Sequence, residues 1–61
     1  MEWQPIETAP KDGTICHLRL RDPLGSFEIT QEYFLHDDGM WYRVEPPLQL
    51  SVRPTHWRRA P

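Results

Sequence analysis

Cysteine is almost absent from this 61-residue chain: Cys16 stands alone, so no intrachain disulfide is possible. The covalent staple usual in tiny secreted domains is therefore missing. Long hydrophobic runs are missing too. No stretch is apolar enough to span a bilayer, and Met1 leads straight into Glu2-Trp3-Gln4-Pro5 without a basic segment or a signal-like apolar stretch. The expected setting is a reducing cytoplasm with no membrane partner. Helical periodicity is also lacking, since no window keeps apolar residues at helical spacing for three turns. Nor is there an excess of positive charge. The formal net charge is −2, which disfavours non-specific affinity for nucleic acid.

Nothing in the chain matches a catalytic or phosphate-binding signature. A chain this short also has little interior from which to form a substrate pocket alone. The expectation is a non-enzymatic protein without a cofactor, folded as a single small domain over residues 1–61. A chain of this size buries only about 60% of its unfolded surface. Its core supplies no more than roughly 3–5 kcal/mol without outside help.

What is present is alternation. Cys16-His17-Leu18-Arg19-Leu20-Arg21 places Cys16, Leu18 and Leu20 on one face of a strand over Ile15–Arg21. Asp22-Pro23-Leu24-Gly25 carries Asp, Pro and Gly where a type I turn favours them, so the chain should reverse there. Phe27–Leu35 then sets Phe27, Ile29, Tyr33 and Leu35 against Glu28, Thr30 and Glu32. A helix is the alternative in this window, but β-branched and aromatic content favours a strand. The Asp38-Gly39 turn suits a hairpin that returns through Met40–Val44. Pro46-Pro47 ends that strand, because neither residue donates to a ladder. Leu48–Arg53 alternates again, with Leu48, Leu50 and Val52 as an inward row, and Thr55-His56-Trp57 is an edge strand or a closing turn. The pattern predicts an all-β fold, a small curled antiparallel sheet or partly closed barrel of about four to five short strands. Its expected core is Cys16, Leu18, Leu20, Ile29, Val44 and Leu50.

The opening run Trp3-Gln4-Pro5-Ile6-Glu7-Thr8-Ala9-Pro10-Lys11-Asp12-Gly13-Thr14 is the most distinctive stretch. It packs two prolines, a Glu-Thr pair and an Asp-Gly turn into one shaped loop. Together with Asp38-Gly39-Met40-Trp41 and the closing Pro54-Thr55-His56-Trp57, it resembles a family of short bacteriophage and prophage proteins of unknown function. Those proteins open with Trp-x-Pro-Ile-Glu-Thr-Ala-Pro-x-Asp-Gly-Thr and close with Thr-His-Trp. Between Ile15 and Asp37 the resemblance fades. In the family an apolar residue and a proline follow the last Trp, whereas here Arg58 and Arg59 intervene before Ala60-Pro61. The resemblance implies a phage or prophage setting and brings no activity with it.

Candidate partner-binding residues gather at the two ends: Trp3, Glu7, His56, Trp57, Arg58 and Arg59. Trp and Arg are the residues over-represented at binding hot spots. Each also has a plainer role to fill. Glu7 and Thr8 can hold a turn by bonding free backbone groups, and Glu7 can pair with His56 if the ends meet. Trp3 and Trp57 can lock the termini together, while Trp41 serves the core. Arg53, Arg58 and Arg59 can be a solvated tail that pairs with the acidic middle of the chain. The expected partner is an unknown protein, and the alternative is a nucleic acid met by these arginines and an exposed Trp. Cys16, His17, His36 and His56 supply zinc-ligand chemistry, but Cys16 and His17 point to opposite faces of a strand and no pair has zinc-knuckle spacing. His36-Asp37-Asp38 reads as a polar turn before Gly39.

Overall fold

The computed structural model describes residues 2–61, so the first residue of the expected 1–61 domain lies outside it. Six strands form one antiparallel sheet: β1 (Gln4–Pro5), β2 (Cys16–Asp22), β3 (Gly25–Leu35), β4 (Trp41–Arg43), β5 (Leu48–Gln49) and β6 (His56–Arg59). A single 3-10 turn, Ile6–Thr8, follows β1. The spatial order is β1-β6-β2-β3-β4-β5, an open sheet with short strands at both outer edges.

The strands form where the alternation is strict. Cys16, Leu18 and Leu20 are buried on one face of β2, and His17 and Arg19 stand half-buried on the other. The β2–β3 reversal is held by the Asp22 carboxylate, which accepts the Leu24 N–H at 2.8 Å. Gly25 closes the turn at φ 136°, a backbone geometry that favours glycine. Cys16 lies opposite Tyr33 but Leu18 lies opposite Ile29, so two steps along β2 match four along β3 and the longer strand bulges. Because the excess is even, Tyr33 and Leu35 keep the core face that Phe27 and Ile29 share.

β2 to β5 form a meander, and β6 then returns to the far side of β2. The link from β5 to β6 crosses the core face as a strap. Leu50 donates its N–H to Trp41 at 2.8 Å, Pro54 is buried, and Thr55 donates its N–H to the Arg19 carbonyl at 2.8 Å. The core is Cys16, Leu18, Leu20, Tyr33, Leu35 and Trp41, flanked by partly buried Ile6, Ala9, Ile29, Leu50 and Trp57.

This corrects the expected core at Val44 and the expected inward row at Leu48 and Val52, and it leaves Ile29 and Leu50, expected in the core, only partly buried at its margin. Val44 is 37% exposed because β4 ends at Arg43 and the chain turns away through Glu45–Pro47. Leu48 and Val52, expected to point inward, are each 52% exposed. Pairing in β5 stops at Gln49, and the strap beyond it is not a strand, so alternation there has no face to bury. The strand count also rises, since Gln4–Pro5 and His56–Arg59 both join the sheet.

Candidate functional site

The two ends of the chain meet as neighbouring strands. Gln4 lies opposite Trp57 and Pro5 opposite His56, and the Ile6 N–H reaches the Thr55 carbonyl at 3.1 Å. Pro5 tolerates this position because β1 is an outer edge, where a missing donor leaves no ladder bond unmade. The following turn is fixed by Thr8, whose hydroxyl donates to the Pro5 carbonyl at 2.7 Å. Downstream, the Asp12 carboxylate accepts the Thr14 N–H at 3.0 Å and the Thr14 hydroxyl. These bonds hold the exposed Asp12 carboxyl below its ordinary pKa. Gly13, at φ 86°, completes that loop.

Strand parity then divides the candidate residues between two faces. β6 pairs with β2 so that Trp57 lies opposite Leu18 and Arg59 opposite Cys16, on the core face. His56 lies opposite Arg19 and Arg58 opposite His17, on the outer face. Trp3 joins the outer group: the Arg58 guanidinium lies 4.5 Å from the Trp3 ring centroid and that of Arg19 lies 5.3 Å from it. Trp3 and Trp57 therefore do not meet, because they point to opposite sides of the sheet. The indole N–H of Trp57 goes instead to the Thr8 hydroxyl at 3.0 Å.

Glu7 is exposed on the 3-10 turn and forms no ion pair with His56. It stands at the wall of an open groove of about 430 Å³ on the core side, lined also by Ile6, Met40, Trp41, Leu50 and Val52. His56 bonds its own neighbour, the Thr55 hydroxyl, at 2.9 Å. Arg53, Arg58 and Arg59 make no ion pair with the acidic middle among the described residues. Of the six expected binding residues, Trp3, His56 and Arg58 share one face, and Glu7, Trp57 and Arg59 lie away from it.

Two members of this face were not legible as site residues. Arg19 packs against Trp3 and also reaches Glu28, with its Nη2 nitrogen 3.5 Å from the carboxylate. His17 lies beside Arg58 across the strand pair. Buried atoms of both residues, Arg19 Nε and His17 Nδ1, have no hydrogen-bond partner among the described residues. Buried polar atoms are ordinarily satisfied, so two orphans on one face mark it out from the rest of the sheet. The available signal was alternation, which puts His17 and Arg19 opposite the core row of β2.

The one cysteine stands apart from this face. Cys16 is on the other side, fully buried, and burial pushes its thiol up to about 11. His36 and Asp38 form a turn: the Asp38 N–H meets His36 Nδ1 at 3.3 Å, and the Asp38 carboxylate accepts the Tyr42 hydroxyl at 2.6 Å. No three His, Cys, Asp or Glu side chains converge as a metal site among the described residues, and no helix there is long and apolar enough to cross a membrane. Comparison with protein-family models, curated proteins and solved structures finds no match.

Proposed function

We propose that this chain is a non-enzymatic accessory protein that acts by binding a macromolecule, foremost a protein, through the outer face of β1, β6 and β2. The observation that carries this reading is the half-buried Trp3 ring held against the Arg58 and Arg19 guanidiniums. An indole fixed in place by two cations presents a rigid aromatic contact at little further cost in side-chain entropy, which is how hot-spot residues work. The motif resemblance of the two chain ends supports a phage or prophage setting, because those motifs supply Trp3 and the strand that pairs beside it.

A second reading has one observation in its favour: Arg19, Arg58, His17 and His56 gather on a single face with an aromatic ring, as in single-strand nucleic-acid binders. Against it stand the net charge of −2 and the pairing of Arg19 with Glu28. The test is capture of a partner from the native host by immobilised wild type, Trp3→Ala, Arg58→Ala and Arg59→Ala chains. Wild type and Arg59→Ala should retain the same protein, while Trp3→Ala and Arg58→Ala lose it. Equal capture by all four chains rejects the face. Salt-sensitive binding of labelled single-stranded DNA or RNA, lost in Arg58→Ala, transfers the assignment to nucleic acid.

A further inference from the structure

The β2–β3 hairpin reaches beyond its neighbours in the sheet. β4 pairs only with Tyr33–Leu35, and the Val44 N–H takes the Glu32 carbonyl at 2.9 Å. From Gly25 to Gln31 the outer edge of β3 has no partner strand among the described residues. Its polar groups can be oriented from β2. Arg19 and Ile15 turn their carbonyls towards β6 and its flanks, accepting the Thr55 and Ala60 N–H groups at 2.8 and 2.9 Å. By alternation Leu18 and Leu20 turn towards β3, so their partners Ile29 and Phe27 face β2. Ser26 and Glu28 therefore point N–H and C=O away from the sheet. Beside this edge stand two exposed apolar side chains, Phe27 at 46% and Leu24 at 98%.

We infer that this edge is a self-complementary interface at which a second copy of the chain adds its own β3, antiparallel, about a twofold axis at Phe27. The choice of occupant rests on register. About Phe27, Ser26 of each copy lies opposite Glu28 of the other, giving two reciprocal pairs and about four backbone hydrogen bonds. The two Phe27 rings meet on the core face, flanked by Ile29 of each copy, and each Leu24 comes to lie beside the other copy's Thr30. Pro23 and Leu24 of the second copy stop beside Gln31 and Thr30, short of the place Val44 occupies.

The neighbouring registers fail on physical grounds. A twofold at Glu28 sets two carboxylates directly opposite each other, a destabilising pair. One at Ile29 brings Ser26 of the second copy against Glu32, whose carbonyl Val44 already uses. One at Ser26 puts Phe27 opposite Gly25 and leaves it uncovered. No charged side chain stands on the core-facing row Phe27, Ile29 and Gln31, the position where inward charges normally guard an edge. The paired sheets would bury the longest open edge and two of the exposed hydrophobic residues together.

Sedimentation equilibrium of the full chain, across the micromolar to millimolar range, should show a reversible dimer. Phe27→Lys and Glu28→Pro, the latter removing an outward N–H, should each weaken its dissociation constant by about tenfold or more. Unchanged near-ultraviolet dichroism of the variants shows that the fold survives. Should either variant fail to fold, cross-linking decides. The Phe27 pair is a non-hydrogen-bonded one with Cα atoms about 4.5 Å apart, within the roughly 4.4–6.8 Å that disulfides span. Phe27→Cys should therefore oxidise to a linked dimer well ahead of the more exposed Leu24→Cys. A wild type that stays monomeric at millimolar concentration overturns the interface. So does a dimer indifferent to Phe27→Lys, or equal linking of the two cysteine variants.

Discussion

Trp57 donates its indole N–H to the Thr8 hydroxyl at 3.0 Å, joining residues 49 positions apart and tying the last strand to the turn after the first. Thr8 in turn bonds the Pro5 carbonyl at 2.7 Å, so one hydroxyl links the opening turn, the edge strand and β6. Trp57→Phe keeps most of the ring's apolar contact and removes only the donor. Urea denaturation should show a loss of about 0.5–1.5 kcal/mol. In Thr8→Ala the further loss from Trp57→Phe should be smaller, since the partner is already gone.

Leu18 is fully buried at the centre of the sheet, with Ile29 on one side and Trp57 on the other. Leu18→Ala should cost about 2–5 kcal/mol. Against a core that supplies roughly 3–5 kcal/mol, that loss leaves much of the chain unfolded at room temperature. Thermal unfolding followed by dichroism checks it, and a variant as stable as wild type would contradict the assigned burial.

The Cys16 thiol should be inert while the chain is folded. Burial raises it from 9.0 to about 11, partly offset by the positive charge of Arg59. An aromatic disulfide reagent at pH 8, which forms a mixed disulfide with the thiol and releases a coloured thiolate, should therefore react slowly in buffer and at the ordinary rate in denaturant. The raised folded value also sets the direction of a stability change. Its contribution is fully present below pH 9.0 and is lost as pH rises towards 11, because the unfolded chain releases its proton first. Stability measured across that window should fall in wild type, and this component should vanish in Cys16→Ala.

Asp38 and Tyr42 titrate against each other. The hydrogen bond between them holds the Asp38 carboxyl below its ordinary range and raises the Tyr42 phenol above 10.0. Absorbance at the phenolate band should place Tyr42 ionisation above that of free tyrosine, and Asp38→Asn should bring it down. On the acid side, the Asp38 contribution is present above the unfolded carboxyl value and is lost as pH falls through the lower folded one. On the basic side, the Tyr42 contribution is lost as pH rises past the unfolded phenol value.

Local alternation was enough to read β2, most of β3 and β4 from the sequence, because a strand with one buried face must repeat every second residue. Turn chemistry was equally legible at Asp22-Pro23-Leu24-Gly25 and Asp38-Gly39, where the side chains bond their own backbone. The rule misled at Val44, Leu48 and Val52. An apolar residue in an alternating run is buried only if something covers it, and there the sheet had already run out. Gln4–Pro5 carried no strand signal at all, since a two-residue edge has no period to show.

Only the tertiary structure decided the candidate site. The distinctive ends of the chain drew attention to Trp3, His56, Trp57, Arg58 and Arg59, but β6 had to insert between β1 and β2 before their faces could be told apart. That insertion is long-range pairing, set by how the strap carries the chain across the core to the free side of β2. Parity then set Arg59 and Trp57 on the core face, put Arg58 opposite His17 on the other, and brought Arg58 and Arg19 to Trp3. Alternation along a strand is a property of neighbouring residues and is written in the sequence. Which strand lies beside which depends on the packing of the whole chain, and at this site that packing determines the chemistry.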